Sequence, residues 1–225
     1  MPTWSASVVL GAPGRRSVAW ILFVAAFAGI NYASRFTSGK PSRDFLYQWS
    51  SAASGLVLLV VILGVTLGIA GSQRQLLAWR RPPSWPRALL LALWSIPTYI
   101  AILALDHVLH GGREQGLTPS QWEPRHASAY AANFVVIAIM TPFVEETLFR
   151  GLGYSLLERY GRWPAILAIG VAFGVAHGLV EALPELVLLG IVLAWLRSKT
   201  GSIYPGVLVH ATFNAIALIA AVTVR

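Results

Sequence analysis

The sequence is 225 residues long, 56% hydrophobic and 12% charged, with no cysteine and a formal net charge of +8. Soluble domains carry about 25% charged residues, so half that charge on so apolar a chain excludes a water-soluble globule and makes lipid the main solvent. The lack of cysteine excludes disulfides, thiolate metal sites and a cysteine nucleophile.

The first fourteen residues hold no helix-length apolar run. A bilayer crossing needs about 20 apolar residues, and the first three candidates are Ser17–Ser34, Ser54–Gly71 and Ala88–Leu105. No small-residue cleavage pattern marks the stretch from Val18, which therefore reads as a retained span and not a signal peptide. The Pro-rich Arg80–Arg87 is the loop between spans two and three. Asp106–Ala127 is a polar loop in which His107, His110 and His126 meet water. A fourth run begins near Ser128 and continues into the amphipathic FVEETLFRGLGYSLLERYG. A fifth runs from Pro164 through His177, with Glu181 and Glu185 at its outer end and in the following turn. The sixth, Leu183–Leu196, has Pro184 in its first turn, where proline is tolerated. The seventh covers Ile203–Val224. Tryptophans such as Trp49, Trp79, Trp85, Trp122 and Trp163 flank the spans as an aromatic belt.

The basic residues fall between apolar runs and not along one amphipathic face, so the positive charge reads as loops and not as a nucleic-acid interface. With seven spans, ten basic residues share the side of the N-terminus, against six on the other (Arg35, Lys40, Arg43, Arg113, Arg125 and Arg225). That bias places the N-terminus inside. An eighth crossing over Glu146–Tyr160 would weaken it by moving Arg159 and Arg162 out. The expected fold is all-α, a polytopic transmembrane bundle of seven spans, or eight with that extra crossing. A three-span N-terminal region, 1–127, precedes a core, 128–225.

A charged side chain inside a span costs about 2.5–3.5 kcal/mol on insertion scales, so the few present are informative. Glu146 and Arg150 are four apart and pair on one helix face. Glu145 points about 100° away from Glu146, without a local partner. If the chain turns at Gly161, Glu145 lies 161 − 145 = 16 residues before the turn and His177 lies 177 − 161 = 16 after it. At the α-helical rise both sit about 24 Å from the turn, level with each other. His210 and Asn214, four apart, share a face of the last helix at comparable depth. Glu145, Glu146, His177, His210 and Asn214 can therefore converge on one pocket. That set suits peptide hydrolysis, with a desolvated glutamate as general base. A histidine can hold the water, and a histidine–asparagine pair of donors can serve a tetrahedral oxyanion.

The segments EETLFR (Glu145–Arg150), FGVAH (Phe173–His177) and HATFN (His210–Asn214) resemble the EExxxR, FxxxH and HxxxN motifs of the CPBP intramembrane protease family. That family embraces type II CAAX prenyl endopeptidases and Abi-like bacteriocin-processing and immunity proteins. The resemblance spans about Ser128 to Ala220. It implies Glu145 as the catalytic base, His177 positioning the water, and His210 with Asn214 as the oxyanion hole. Glu146 and Arg150 would be supporting groups, and Phe173 a packing residue flanking the site.

The resemblance implies no metal cofactor. An alternative keeps the protease but adds Zn2+ on Glu145, His177 and His210, although the chain has no HExxH. The expected partners are the lipid bilayer and a membrane-anchored protein or peptide substrate such as a CAAX-type or C-terminal sorting tail. No nucleic acid is expected. The expected location is a bacterial inner membrane. A non-enzymatic scaffold or immunity protein of the same fold is the competing reading. A transporter is disfavoured, because the sequence shows no inverted repeats.

Overall fold

The computed structural model describes residues 14–37, 44–115 and 122–223. The expectations for residues 1–13, for the loop charges Lys40, Arg43 and Arg225, and for Val224 lie outside these residues.

Among the described residues the chain is all helix and turn. Helices α1 (Arg15–Thr37) and α2 (Trp49–Ala70) coincide with the first two apolar runs. The third span is bent into α3 (Trp85–Ala92) and α4 (Ser95–Leu109). Pro97 explains the bend, because its ring clashes with the carbonyl four residues back and it has no N–H to donate. The chain tightens there, with the Ile96 N–H donating to the Leu93 carbonyl at 3.0 Å. Ser84 caps α3 by accepting from the Arg87 N–H.

The fourth rod, α5, runs unbroken for 37 residues over Pro124–Tyr160, so Glu146–Tyr160 continues it and makes no separate crossing. Two π-helical turns, Val135–Met140 and Thr147–Gly153, interrupt its α-helical geometry. Gly161, with φ of +112°, reverses the chain as the sequence predicts. Three helices follow: α6 (Arg162–Ala176), α7 (Leu183–Thr200) and α8 (Tyr204–Thr223).

Among the described residues five rods are long and apolar enough to cross a bilayer, namely Arg15–Thr37, Trp49–Ala70, Trp85–Leu109, Pro124–Tyr160 and Tyr204–Thr223. Helix α6 is apolar but only 15 residues long, and α7 carries Glu185, Arg197 and Lys199. Large apolar side chains such as Leu22, Val57, Ile100 and Ile219 stay exposed on the outside of the bundle, as lipid-facing surfaces require. The interior runs through Trp20, Leu77, Leu148, Leu152, Ile166, Phe173 and Leu193.

Helices α6 and α7 make the closest pairing. Gly170 and Gly174 face Ile191 and Val187, and such small residues let the backbones approach without a water-driven hydrophobic term. This hairpin, with α5 and α8, surrounds the buried charges.

Candidate active site

The third motif's Asn214 reaches α5 at a defect in that helix, upstream of the first motif's glutamates. Pro142 cannot donate an N–H, and its ring pushes the preceding turn apart. The widened turn at Val135–Met140 is the result. Side chains serve the carbonyls it exposes: Thr141 Oγ1 donates to the Val136 carbonyl at 3.0 Å and Asn214 Nδ2 to the Ile137 carbonyl at 3.0 Å. One of the two N–H bonds of Asn214 is thereby committed to the backbone, which leaves the second for another acceptor. Widened turns of this kind recur at functional sites.

Glu145 and Glu146 sit on the short α-helical stretch Thr141–Glu146 between the two widened turns. Glu146 Oε1 accepts from an Arg150 terminal nitrogen at 2.8 Å, and both side chains are fully buried. This is the pair expected from the four-residue spacing. Arg150 also donates to the Gly190 carbonyl on α7 at 3.1 Å. Its guanidinium carbon lies 4.2 Å from the centre of the Phe173 ring, within cation–π range. The Arg150 carbonyl in turn accepts from Arg197 Nε at 3.1 Å.

Glu145 is the more open carboxylate, its side chain 18% exposed. Its Oε1 lies 3.8 Å from His177 Nε2 and its Oε2 lies 3.7 Å from His210 Nε2. The equal-depth argument from the Gly161 turn thus places Glu145 and His177 as neighbours. These gaps exceed a direct hydrogen bond. They suit a small molecule such as water held between the groups. His210 Nδ1 lies 3.2 Å from Glu146 Oε1, and His177 Nδ1 lies 2.7 Å from the Phe173 carbonyl. The Phe173 ring is fully buried, with its centre 4.7 Å from that of His177 and 5.7 Å from that of His210. It packs against both imidazoles, edge-on to each.

The structure brings Glu145, Glu146, Arg150, Phe173, His177 and His210 into one cluster. Asn214, one helical turn beyond His210 on α8, is fixed to the widened turn of α5 through the Ile137 carbonyl. Among the described residues no group of three or more His, Asp or Glu side chains is arranged to hold a metal ion. His107, His110 and His126 are exposed as expected, but the polar loop is shorter than the sequence suggests: His107 lies in the last turn of α4, His110 caps that helix and His126 lies in the first turn of α5. Glu185, expected in a turn, is instead buried in the first turn of α7.

Sequence reasoning missed the clamp on the turn after His177. Asn31 donates to the Ala176 carbonyl at 2.7 Å, Tyr32 to the Leu179 carbonyl at 3.3 Å and Arg35 to the Gly178 carbonyl at 3.2 Å. Glu114 accepts the N–H groups of Val180, Glu181 and Ala182 and pairs with Arg35. Burial alone would raise the Glu114 carboxyl, but those backbone N–H groups and Arg35 together hold it below the usual carboxylate range. Polar residues at the end of an otherwise apolar first span were the available signal.

Residues 127–216 match the family model described as type II CAAX prenyl endopeptidase Rce1-like, the group that the three motifs resemble. No curated protein and no solved structure matches the chain.

Proposed function

We propose, taking that family match as the premise, that this integral membrane protein is an endopeptidase that cuts membrane-associated protein tails or peptide precursors with a glutamate-activated water. Glu145 is the general base. His177 shares the water with it, and His210 with Asn214 stabilises the tetrahedral oxyanion. Glu146, Arg150 and Phe173 support them. One observation carries the reading: both Glu145 oxygens face an imidazole Nε2, at 3.8 and 3.7 Å, beside a fully buried ion pair. A carboxylate with two imidazole neighbours is equipped to take a proton from water and pass it on.

The substrate class is a CAAX-type or C-terminal sorting tail, and the membrane is a bacterial cytoplasmic membrane. The mechanism takes no metal. The zinc variant on Glu145, His177 and His210 is tested by metal analysis of the purified protein and by chelation. Comparison of protein termini in native-host membranes, wild type against Glu145→Ala, tests the function. New termini present only with wild type are expected, and they would reveal the substrate. Identical termini with both proteins folded would leave the non-enzymatic scaffold as the better account.

A further inference from the structure

The two oxygens of Glu146 are used unequally. Oε1 lies 2.8 Å from an Arg150 terminal nitrogen and 3.2 Å from His210 Nδ1. Oε2 is buried without a hydrogen-bonding partner. It lies against Gly206 of α8, where even a Cβ would come within 2.7 Å of it. The carboxylate is therefore confined, and only a residue without a side chain at 206 lets α8 pass this close.

Arginine keeps its proton in proteins, so the partner of Arg150 is an ionised carboxylate, which can only accept hydrogen bonds. His210 must then donate through Nδ1. A neutral imidazole has a single N–H, so the other nitrogen, Nε2, carries a lone pair. That nitrogen is the one 3.7 Å from Glu145 Oε2. Phe173, edge-on to the ring at 5.7 Å, leaves His210 buried and in place.

We propose that Glu146 is a positioning residue that fixes His210 as the Nδ1–H tautomer, so the resting site offers the water a lone pair and not a donor. The proposal rests on the reading of Glu145 as the base, and it changes the order of events. One hydrogen of the bound water points to Glu145 and the other to His210 Nε2. As the water oxygen forms its bond to the scissile carbonyl carbon, the water O–H bond breaks and its proton passes to Glu145. From there it moves to His210 Nε2, and Glu145 returns to a carboxylate. His210 gains its Nε2–H donor only as the oxyanion develops. Collapse of the intermediate breaks the C–N bond, the His210 proton goes to the leaving nitrogen, and the second water hydrogen stays on the new carboxyl group. An oxyanion donor absent from the ground state acts only on the transition state, which is where binding energy raises kcat.

The test is nitrogen NMR of full-length, 15N-histidine-labelled protein in detergent micelles near neutral pH, with His210 assigned by its loss in His210→Gln. The expected spectrum shows two widely separated His210 nitrogens, with Nδ1 at the protonated position and Nε2 at the unprotonated one. Nε2 protonated in their place, or two averaged signals, would overturn the proposal. Glu146→Leu alone strands Arg150, so the informative variant is Glu146→Leu with Arg150→Met, which removes both charges. In the folded double variant the two His210 signals should average or exchange places. A tautomer that stays fixed there would show that Glu146 does not set it. Glu146→Gln keeps an oxygen in place and should restore the Nδ1–H form. The readout needs no substrate, so failure of this proposal and failure of the protease reading are distinguishable.

Discussion

Two arginine–glutamate pairs brace the candidate site, and they differ in almost every physical respect. Glu146–Arg150 lies within one helix, four residues apart, with both side chains fully buried. Arg35–Glu114 joins the end of α1 to the segment after α4, with the arginine side chain 37% exposed. The inner pair holds His210 through Glu146, and the outer pair holds the turn after His177. The inner charges have paid for desolvation and are costly to strand. The outer pair is open to solvent on its arginine side, with Glu114 only 10% exposed, and such a surface pair is worth little by itself. Its value lies in the three backbone N–H groups that Glu114 accepts, which would otherwise lack partners at the start of α7. One pair secures an imidazole by charge, the other by ordering backbone.

The contrast yields tests of graded size. Glu145→Gln lies beside the inner pair but removes only a proton acceptor. It should lower turnover about 10²–10⁴-fold, the range for loss of a general base, with unchanged unfolding behaviour. Cleavage assays on the tail found by terminus comparison would measure this, and retained turnover would sink Glu145 as base. Arg150→Ala should cost about 3–5 kcal/mol of stability, because it leaves Glu146 buried and unpaired. Unfolding in detergent reads that loss, and an unaltered transition would erase the contrast between the pairs. His210→Ala should reduce kcat about 10²–10³-fold, as loss of an oxyanion donor does, with a smaller effect on KM. A defect confined to KM would instead make His210 a binding residue.

Arg35→Ala should change global stability by no more than about 1 kcal/mol. It should nevertheless speed amide exchange at Val180–Ala182. The outer pair also has a pH signature. The Glu114 carboxyl is held below its usual range when folded, so its contribution is present above the unfolded carboxylate value of about 4.3. It is lost as the pH falls through the lower, folded value. Protection of the Val180–Ala182 amides, read as exchange relative to the intrinsic rate at each pH, should therefore fall in acid for the wild type and be independent of pH in Glu114→Gln. Equal pH dependence in both would assign the effect to another group.

The inner pair was legible in the sequence because helical spacing is a local property: Glu146 and Arg150 announce each other at four residues. Glu145 and His177 were legible from a count, since equal lengths on either side of Gly161 place them at equal depth in a straight hairpin. The apolar runs located the rods to within a few residues. The outer clamp was not legible. Arg35 and Glu114 are 79 positions apart, and nothing in either neighbourhood names the other. Nor was the bend in the third span read, although Pro97 signals it, or the widened turn at Val135–Met140. Pro142 was visible there, but the answering donor, Asn214, comes from the last helix. The spacing of His210 and Asn214 suggested two free donors, whereas packing spends one N–H of Asn214 on the Ile137 carbonyl and the Nδ1–H of His210 on Glu146.

The clamp from α1 bears on portability. The motif-bearing stretch that matches the family, 127–216, receives side-chain hydrogen bonds at Ala176, Gly178 and Leu179 from Asn31, Arg35 and Tyr32. A transplant of that stretch onto another scaffold would carry every motif residue and still arrive with the His177 turn undone. Shortening or chimera design has to treat the end of the first helix as part of the candidate site's frame, even though it contributes none of the motif residues.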